Sequence, residues 1–169
     1  MTRLLTALLL AFALSACGFH LRDALVLPDG VDTIKVTARD PYSPLARSLE
    51  SALERAGARV VDARAKERVA TLALRSERWA STPLSLDQFG RAQEYTLRYA
   101  VVFALVDANG DEIVPQQAVE MSRDYISVPT DATGTDTETE LLGREMQREM
   151  TAAILRRIDA ATRELRSAR

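Results

Sequence analysis

Enzyme chemistry needs nucleophiles, bases or metal ligands at workable spacings, and this chain of 169 residues has few. Its one histidine, His20, and its one cysteine, Cys17, sit three positions apart near the N-terminus. No Ser-His-Asp or Cys-His arrangement can be built from the rest. HExxH, GxSxG, Walker and GxGxxG patterns are absent, and no Cys/His cluster could hold zinc. Asp131, Asp136, Glu138 and Glu140 gather near a glycine, but their spacing is not that of an EF-hand. Acidic residues are also the usual filling of a helix N-terminus, where the dipole favours them. Nothing selects a carboxylate pair for glycoside hydrolysis, and one tryptophan is little to hold a sugar. The sequence therefore assigns no catalytic residue, no metal and no cofactor.

Cys17 has a different chemistry. A basic start at Arg3 leads into the apolar run Leu4 to Leu14, then Leu14-Ser15-Ala16-Cys17. The segment is too short and wrongly flanked for a spanning helix and fits a secretory signal peptide. Its end resembles a bacterial lipobox, aliphatic-small-small-Cys. An ordinary signal-peptidase site wants small residues one and three positions before the cut; Ala16 fits and Leu14 does not. The lipobox reading removes residues 1–16 and makes Cys17 an S-diacylglycerol, N-palmitoyl anchor with no free thiol. Several acyl chains hold a protein on a bilayer where one is marginal. A second residue Gly18, where Asp would favour inner-membrane retention, points to the periplasmic side of the outer membrane. A lone cysteine also excludes an intramolecular disulfide.

Residues 17–32 read as a lipidated tether and 33–169 as one domain, large enough to bury a core. The net charge of −2 argues against a nucleic-acid partner, which needs a basic face. Lys35 and Lys66 are the only lysines; the other cations are arginine, whose planar fork suits phosphate and carboxylate. A GC-rich genome produces the same bias.

The elements follow from periodicity. Thr33–Ala38 alternates as a strand. Ser43-Pro44 opens a helix over 44–56, with Leu45, Leu49 and Leu53 on one stripe and Gly57 as its stop. Residues 59–62 form a second strand, expected to pair in parallel with the first. Residues 69–79 read as extended, with Leu72, Leu74, Ser76 and Arg78 on one face and Ala73, Arg75, Glu77 and Trp79 on the other. Residues 81–90, with Pro83 and Gly90, read as a loop. Tyr95, Leu97, Tyr99, Val101, Phe103 and Leu105 share one face of a strand over 91–107. Its other face turns from polar to apolar at Ala100, as if that end of the sheet were covered on both sides. Ala108-Asn109-Gly110 turns the chain into a strand over 112–128, where Pro115 asks for an edge or a bulge. A capping box, Thr135-x-x-Glu138, opens a last helix of about 45 Å with Met146, Met150, Ile154, Ile158 and Leu165 on its stripe. The order β-α-β-β-β-β-α describes a two-layer α/β (α+β) sandwich. Its sheet is mixed, mostly antiparallel and four- to five-stranded, with both helices on one face.

The free face offers candidate ligand contacts. Arg75, Arg78, Arg91 and Arg98 sit on or beside the middle strands. Arg78 and Arg91 form a cationic rim if they flank the 81–90 loop at one end of the sheet, a natural place for phosphates. The same residues serve as ordinary edge charges that block aggregation. The arginines of the last helix, Arg148 among them, have acidic residues at helical spacing and read as surface ion pairs.

One stretch carries a family likeness. Cys17-Gly18-Phe19-His20-Leu21-Arg22-Asp23 resembles the mature start of the LptE (RlpB) family of lipopolysaccharide-assembly lipoproteins, commonly Cys-Gly-aromatic-His-Leu-Arg. Pro44-Leu45 opening the first helix, Gly57 ending it and Glu94-Tyr95 starting a long strand continue the pattern. The resemblance implies a non-enzymatic plug inside the outer-membrane β-barrel LptD. Such a plug helps the barrel assemble and takes part in binding and transport of lipopolysaccharide. The free sheet face and the long helix would then meet the barrel wall. Basic residues in the loop after Pro129 are linked to ligand binding in the family, and this chain has none there. Arg91, Arg78 and Arg98 remain as lipopolysaccharide candidates. The residues themselves leave open a monomeric periplasmic lipoprotein that carries an anionic lipid or glycolipid without a barrel.

Overall fold

Alternation over Thr33–Ala38 gives strand β1, with Ile34 and Val36 buried between more open neighbours. Helix α1 (Pro44–Arg55) begins where residue chemistry places it. Ser43 accepts the Ala46 N–H at 3.2 Å, and Pro44 occupies the first turn, where no donor is needed. Leu45, Leu49 and Leu53 are fully buried. Gly57 stops the helix at φ 94°, a left-handed backbone that side-chained residues adopt only at a cost. Strand β2 (Arg59–Val61) then pairs in parallel with β1, Thr33 opposite Arg59, as expected.

The remaining elements are β3 (Ala70–Leu86), β4 (Ala92–Val106), β5 (Glu112–Ile126) and α2 (Ala132–Ser167). The computed structural model describes Leu27, residues 31–127 and residues 132–167, the last with side chains from Thr137 onward. The signal segment, Cys17, the tether apart from Leu27, Val31 and Asp32, residues 128–131 and the side chains of Asp131 and Asp136 lie outside the described residues. The sheet order is β2-β1-β3-β4-β5. β1 pairs in parallel with both β2 and the start of β3, and the longer ladders β3–β4 and β4–β5 are antiparallel. This is the expected mixed sheet with two helices on one face. On that face Tyr99, Phe103 and Leu105 of β4 meet Met146, Met150, Ile154 and Ile158, which recur every fourth residue of α2. At the β1 end the other face is closed as well. Ala73 and Ala104 are buried there, and Lys35 Nζ donates to the Ala65 carbonyl of the β2–β3 connection at 3.0 Å.

Several expectations change. The expected 81–90 loop is mostly strand, since β3 runs to Leu86 and only residues 87–91 turn. Pro83 is tolerated because β1 ends at Ala38, opposite Leu74, so the outer edge of β3 beyond that point has no partner strand among the described residues. Pro115 lies on the edge strand β5 beside a register shift, as its ring requires. The last helix begins at Ala132, upstream of Thr135, so Thr135 is not its N-cap. Its 36 residues span about 54 Å, close to the roughly 50 Å of a 15-residue strand. The helix therefore matches the long strands in length. Leu165 is exposed and lies outside the core.

The decisive irregularity is one surplus residue. Leu74 pairs with Phe103, but the next pair is Ser76 with Val102, so Arg75 has no counterpart. Side chains alternate faces along a strand, so an extra residue exchanges the faces of everything after it. Before the bulge Leu72 and Leu74 face the helices; after it Glu77 and Trp79 do, opposite Val101 and Tyr99. This corrects the face assignment made from strict alternation. Deleting Arg75 is expected to expel Glu77 and Trp79 from the helix face and cost about 3 kcal/mol or more, whereas Arg75→Ala stays within about 0.5 kcal/mol. Urea unfolding followed by circular dichroism of both variants checks this.

Candidate functional site

Glu77, once turned inward, is half-buried and accepts two hydroxyl hydrogen bonds. The Ser43 hydroxyl donates to Oε2 at 2.7 Å and the Tyr99 phenol to Oε1 at 2.7 Å. Ser43 also caps α1, so one carboxylate ties the first turn of that helix to β3 and β4. Tyr99 is fully buried, and burial, reinforced by its bond to Glu77, pushes its phenol well above the ordinary value. Trp79 stacks on Tyr99 with ring centroids 3.8 Å apart and planes 9° from parallel. A cavity of about 350 Å³ beside this cluster is lined by Arg39, Glu77, Arg78, Trp79 and Gln147 among others. The Ser43 hydroxyl is buried and engaged with both Glu77 and the Ala46 N–H, so the hydrogen bonds of the cluster serve to fix one helix on one sheet. Among the described residues no three His, Cys, Asp or Glu side chains gather as metal ligands.

The open face of the sheet is built from cross-strand rows. Register places Ser76–Val102–Ala118, Arg78–Ala100–Glu120, Ala80–Arg98–Ser122, Thr82–Thr96–Asp124 and Ser85–Glu94–Ile126 side by side. Small and polar side chains dominate. Arg98 bridges diagonally to Glu120 at 3.1 Å, and the Thr96 hydroxyl donates to Asp124 at 2.7 Å. The opposite face of β5 is fastened to α2. Arg123 holds Glu149 through two bonds of 2.8 and 2.7 Å, and Arg157 donates to Gln117 Oε1 at 2.9 Å and the Ala118 carbonyl at 2.7 Å.

The candidate arginines separate. Arg91 lies in the β3–β4 turn, whereas Arg78 is opposite Ala100, with roughly 27 Å of strand between it and Leu86. They do not form the expected rim. Arg78 and Arg98 are instead diagonal neighbours on the open face. Arg78 has no hydrogen bond or ion pair with another described residue, and Arg98 is paired with Glu120. Arg91 braces its own turn: its Nε is 2.8 Å from Asp87 Oδ2, and its guanidinium lies over Phe89 at 5.2 Å. Arg75, the bulged residue, is exposed.

Asp87 accepts the backbone N–H groups of Phe89 and Arg91, and Gly90 takes φ 75°. Asp107 does the same for Asn109 and Asp111, with Gly110 at φ 97°. The two hairpins therefore share one D-x-x-G turn. That repeat was legible at 87–90 and 107–110; the inward role of Glu77, Ser43 and Trp79 was not, because nothing in residue type marks the bulge.

Fold and surface thus define a class. This is a one-sided α/β sandwich with a long polar sheet face, no assembled catalytic group among the described residues, and a lipobox-like N-terminal sequence. A family model described as LptE, lipopolysaccharide-assembly, matches residues 31–158, and the chain belongs to that family. It is 28% identical over 158 residues to the LPS-assembly lipoprotein LptE of Pectobacterium atrosepticum, covering 92% of this chain and 85% of that one. It is 31% identical to the LptE of Yersinia pestis, covering 92% and 75%. Among solved structures, rare lipoprotein B of Shewanella oneidensis superposes with a TM-score of 0.67 at 28% identity, covering 79% of this chain and 98% of that one. Lipoprotein B of Nitrosomonas europaea gives 0.70 at 27% identity, covering 86% and 92%.

Two backbone N–H groups and the Arg91 guanidinium donate to the Asp87 carboxylate, and two backbone N–H groups and the Asn109 side-chain amide donate to that of Asp107. For Asp87, the Arg91 N–H leads, and the carboxyl pKa lies below its ordinary 3.8; for Asp107, the Asp111 N–H leads, with the same direction. A depressed folded pKa contributes stability above the unfolded value and loses it as pH falls through the folded value. Carboxyl carbon NMR is expected to give Asp87 and Asp107 midpoints below 3.8. Midpoints at or above that value would contradict the turn geometry.

Proposed function

We propose that this chain is an outer-membrane lipoprotein that plugs an LptD-type β-barrel, assists its assembly and takes part in lipopolysaccharide transport to the cell surface. In this reading residues 1–16 are removed, Cys17 carries the diacylglycerol and palmitoyl chains, and 17–32 tether the 33–169 domain on the periplasmic side. The protein works by docking and not by catalysis.

The observation that supports this best, beside family membership, is the chemistry of the long open face. Its rows are small, polar and internally paired, as at Arg98–Glu120 and Thr96–Asp124. A surface of that kind gains little from hydrophobic contact but suits the polar interior of a large barrel. Enclosure would also shelter the outer edge of β3 beyond Leu74 and the edge of β5, which otherwise offer templates for aggregation. Arg78, without a partner among the described residues, and Arg98 beside it are the open-face candidates for lipopolysaccharide. Arg91 keeps part of its guanidinium available beyond the Asp87 contact, being 60% exposed.

Affinity purification of the tagged, lipidated protein from detergent-solubilised outer membranes is expected to yield one large β-barrel in near-stoichiometric amount. Intact mass should show the acylated Cys17 as first residue. Cys17→Ala should lose the acyl mass and the membrane fraction. A lone monomer carrying lipid would sink the plug reading and favour the free lipid carrier.

A further inference from the structure

The outer surface of the helical layer has a feature that the open sheet face does not share. A groove of about 630 Å³ runs between α1 and α2. Arg47 and Arg55 from α1 and Arg148 from α2 line it, and no carboxylate does. None of the three guanidiniums has a hydrogen bond or ion pair with another described residue. The expected ion pairing of the α2 arginines holds for Arg144 with Glu140 and Arg163 with Asp159, but not for Arg148. Of the neighbouring acids, Glu149 is held by Arg123, and Glu50, which lines the cavity on the other side of α1 with Asp62, acts electrostatically on Arg47 alone of the three without forming an ion pair. Glu50 offsets part of the Arg47 charge, and the like charges of Arg55 and Arg148 have no such neighbour and repel, so the groove carries surplus positive charge.

We propose that this groove is a phosphate-binding site and that its occupant is the phosphorylated headgroup of lipopolysaccharide. The identity of the occupant rests on the cargo reading above; the anion preference rests on the groove itself. Arginine forks match phosphate oxygens, and the exposed hydroxyls of Ser48 and Ser51 add neutral donors along the same wall. Arg47 and Arg55 stand about 12 Å apart along the helix axis, too far for one phosphate to bridge, so a headgroup with more than one anionic group fits. The floor is made by Ala52, Ala152 and half-buried Leu155. It lacks the large apolar or aromatic anchors that carry a stable protein interface, which argues for an anionic headgroup over a protein segment.

The test uses the full-length lipidated protein in detergent. It compares wild type with Arg47→Gln/Arg55→Gln/Arg148→Gln and with a charge-matched control, Arg59→Gln/Arg64→Gln/Arg68→Gln. All six side chains are exposed, so circular dichroism should be unchanged. The probes are purified lipopolysaccharide, the same lipid after chemical dephosphorylation, and phosphatidylglycerol vesicles. The groove variant is expected to bind lipopolysaccharide at least tenfold more weakly, the control within about twofold, and the difference to vanish with dephosphorylated lipid. Unchanged binding by the groove variant overturns the site while leaving the cargo reading intact. A wild type that binds no lipopolysaccharide overturns both. Vesicle binding as tight as lipopolysaccharide binding, and equally weakened by the three changes, assigns the groove to the bilayer and overturns the proposed occupant. Loss of the co-purifying barrel with lipid binding retained makes the groove a protein contact and also overturns it.

Discussion

The structure depends on one surplus residue in β3 and the carboxylate that it turns inward. Without Arg75 as a bulge, Glu77 and Trp79 would face the open side, and the first turn of α1 would lose its tie to the sheet. With it, a single side chain accepts from Ser43 and Tyr99, and Trp79 covers the Tyr99 ring. A half-buried carboxylate is costly unless its lone pairs are met, and here both oxygens are. Removing Glu77, Ser43 or Tyr99 leaves a polar group of the cluster without its partner, so the cluster specifies one relation between helix and sheet rather than many similar ones.

That fixed relation lets the two halves of the sheet do different work. Near β1 both faces are closed and the chain is an ordinary packed core. Beyond Leu74 the sheet continues as three long antiparallel strands backed by a single helix of matching length. The extension keeps its apolar side under α2 and presents a small, polar, charge-paired surface outward. Arg123–Glu149 and the Arg157 bonds to β5 hold the helix against it. These pairs are partly solvated, so their value lies in register and orientation more than in stability.

Most of this was legible in the residues. Ser43-Pro44 and Gly57 bounded α1 because capping and left-handed geometry have residue signatures. The period-two run from Leu97 to Leu105 gave the buried face of β4 because burial imposes it. What alternation could not reveal was the bulge, since Arg75 itself is unremarkable and only its missing partner defines it. Pro83 suggested a loop because proline opposes central strands, whereas an edge without a partner tolerates it. The arginine candidates were chosen by proximity in sequence, and strand length then set Arg78 and Arg91 far apart. The cationic groove joins residues about a hundred positions apart on two helices, a juxtaposition that only tertiary packing creates.

The central claim is that the polar sheet face meets the inner wall of a barrel. Site-specific photo-cross-linking in intact cells tests it directly, with the probe at Ala80, Ala118 or Ser122 in the lipidated protein. All three positions are exposed on that face. The account predicts adducts to one large outer-membrane β-barrel from each position. Folded, membrane-anchored protein that gives no barrel adduct from any of the three would contradict it.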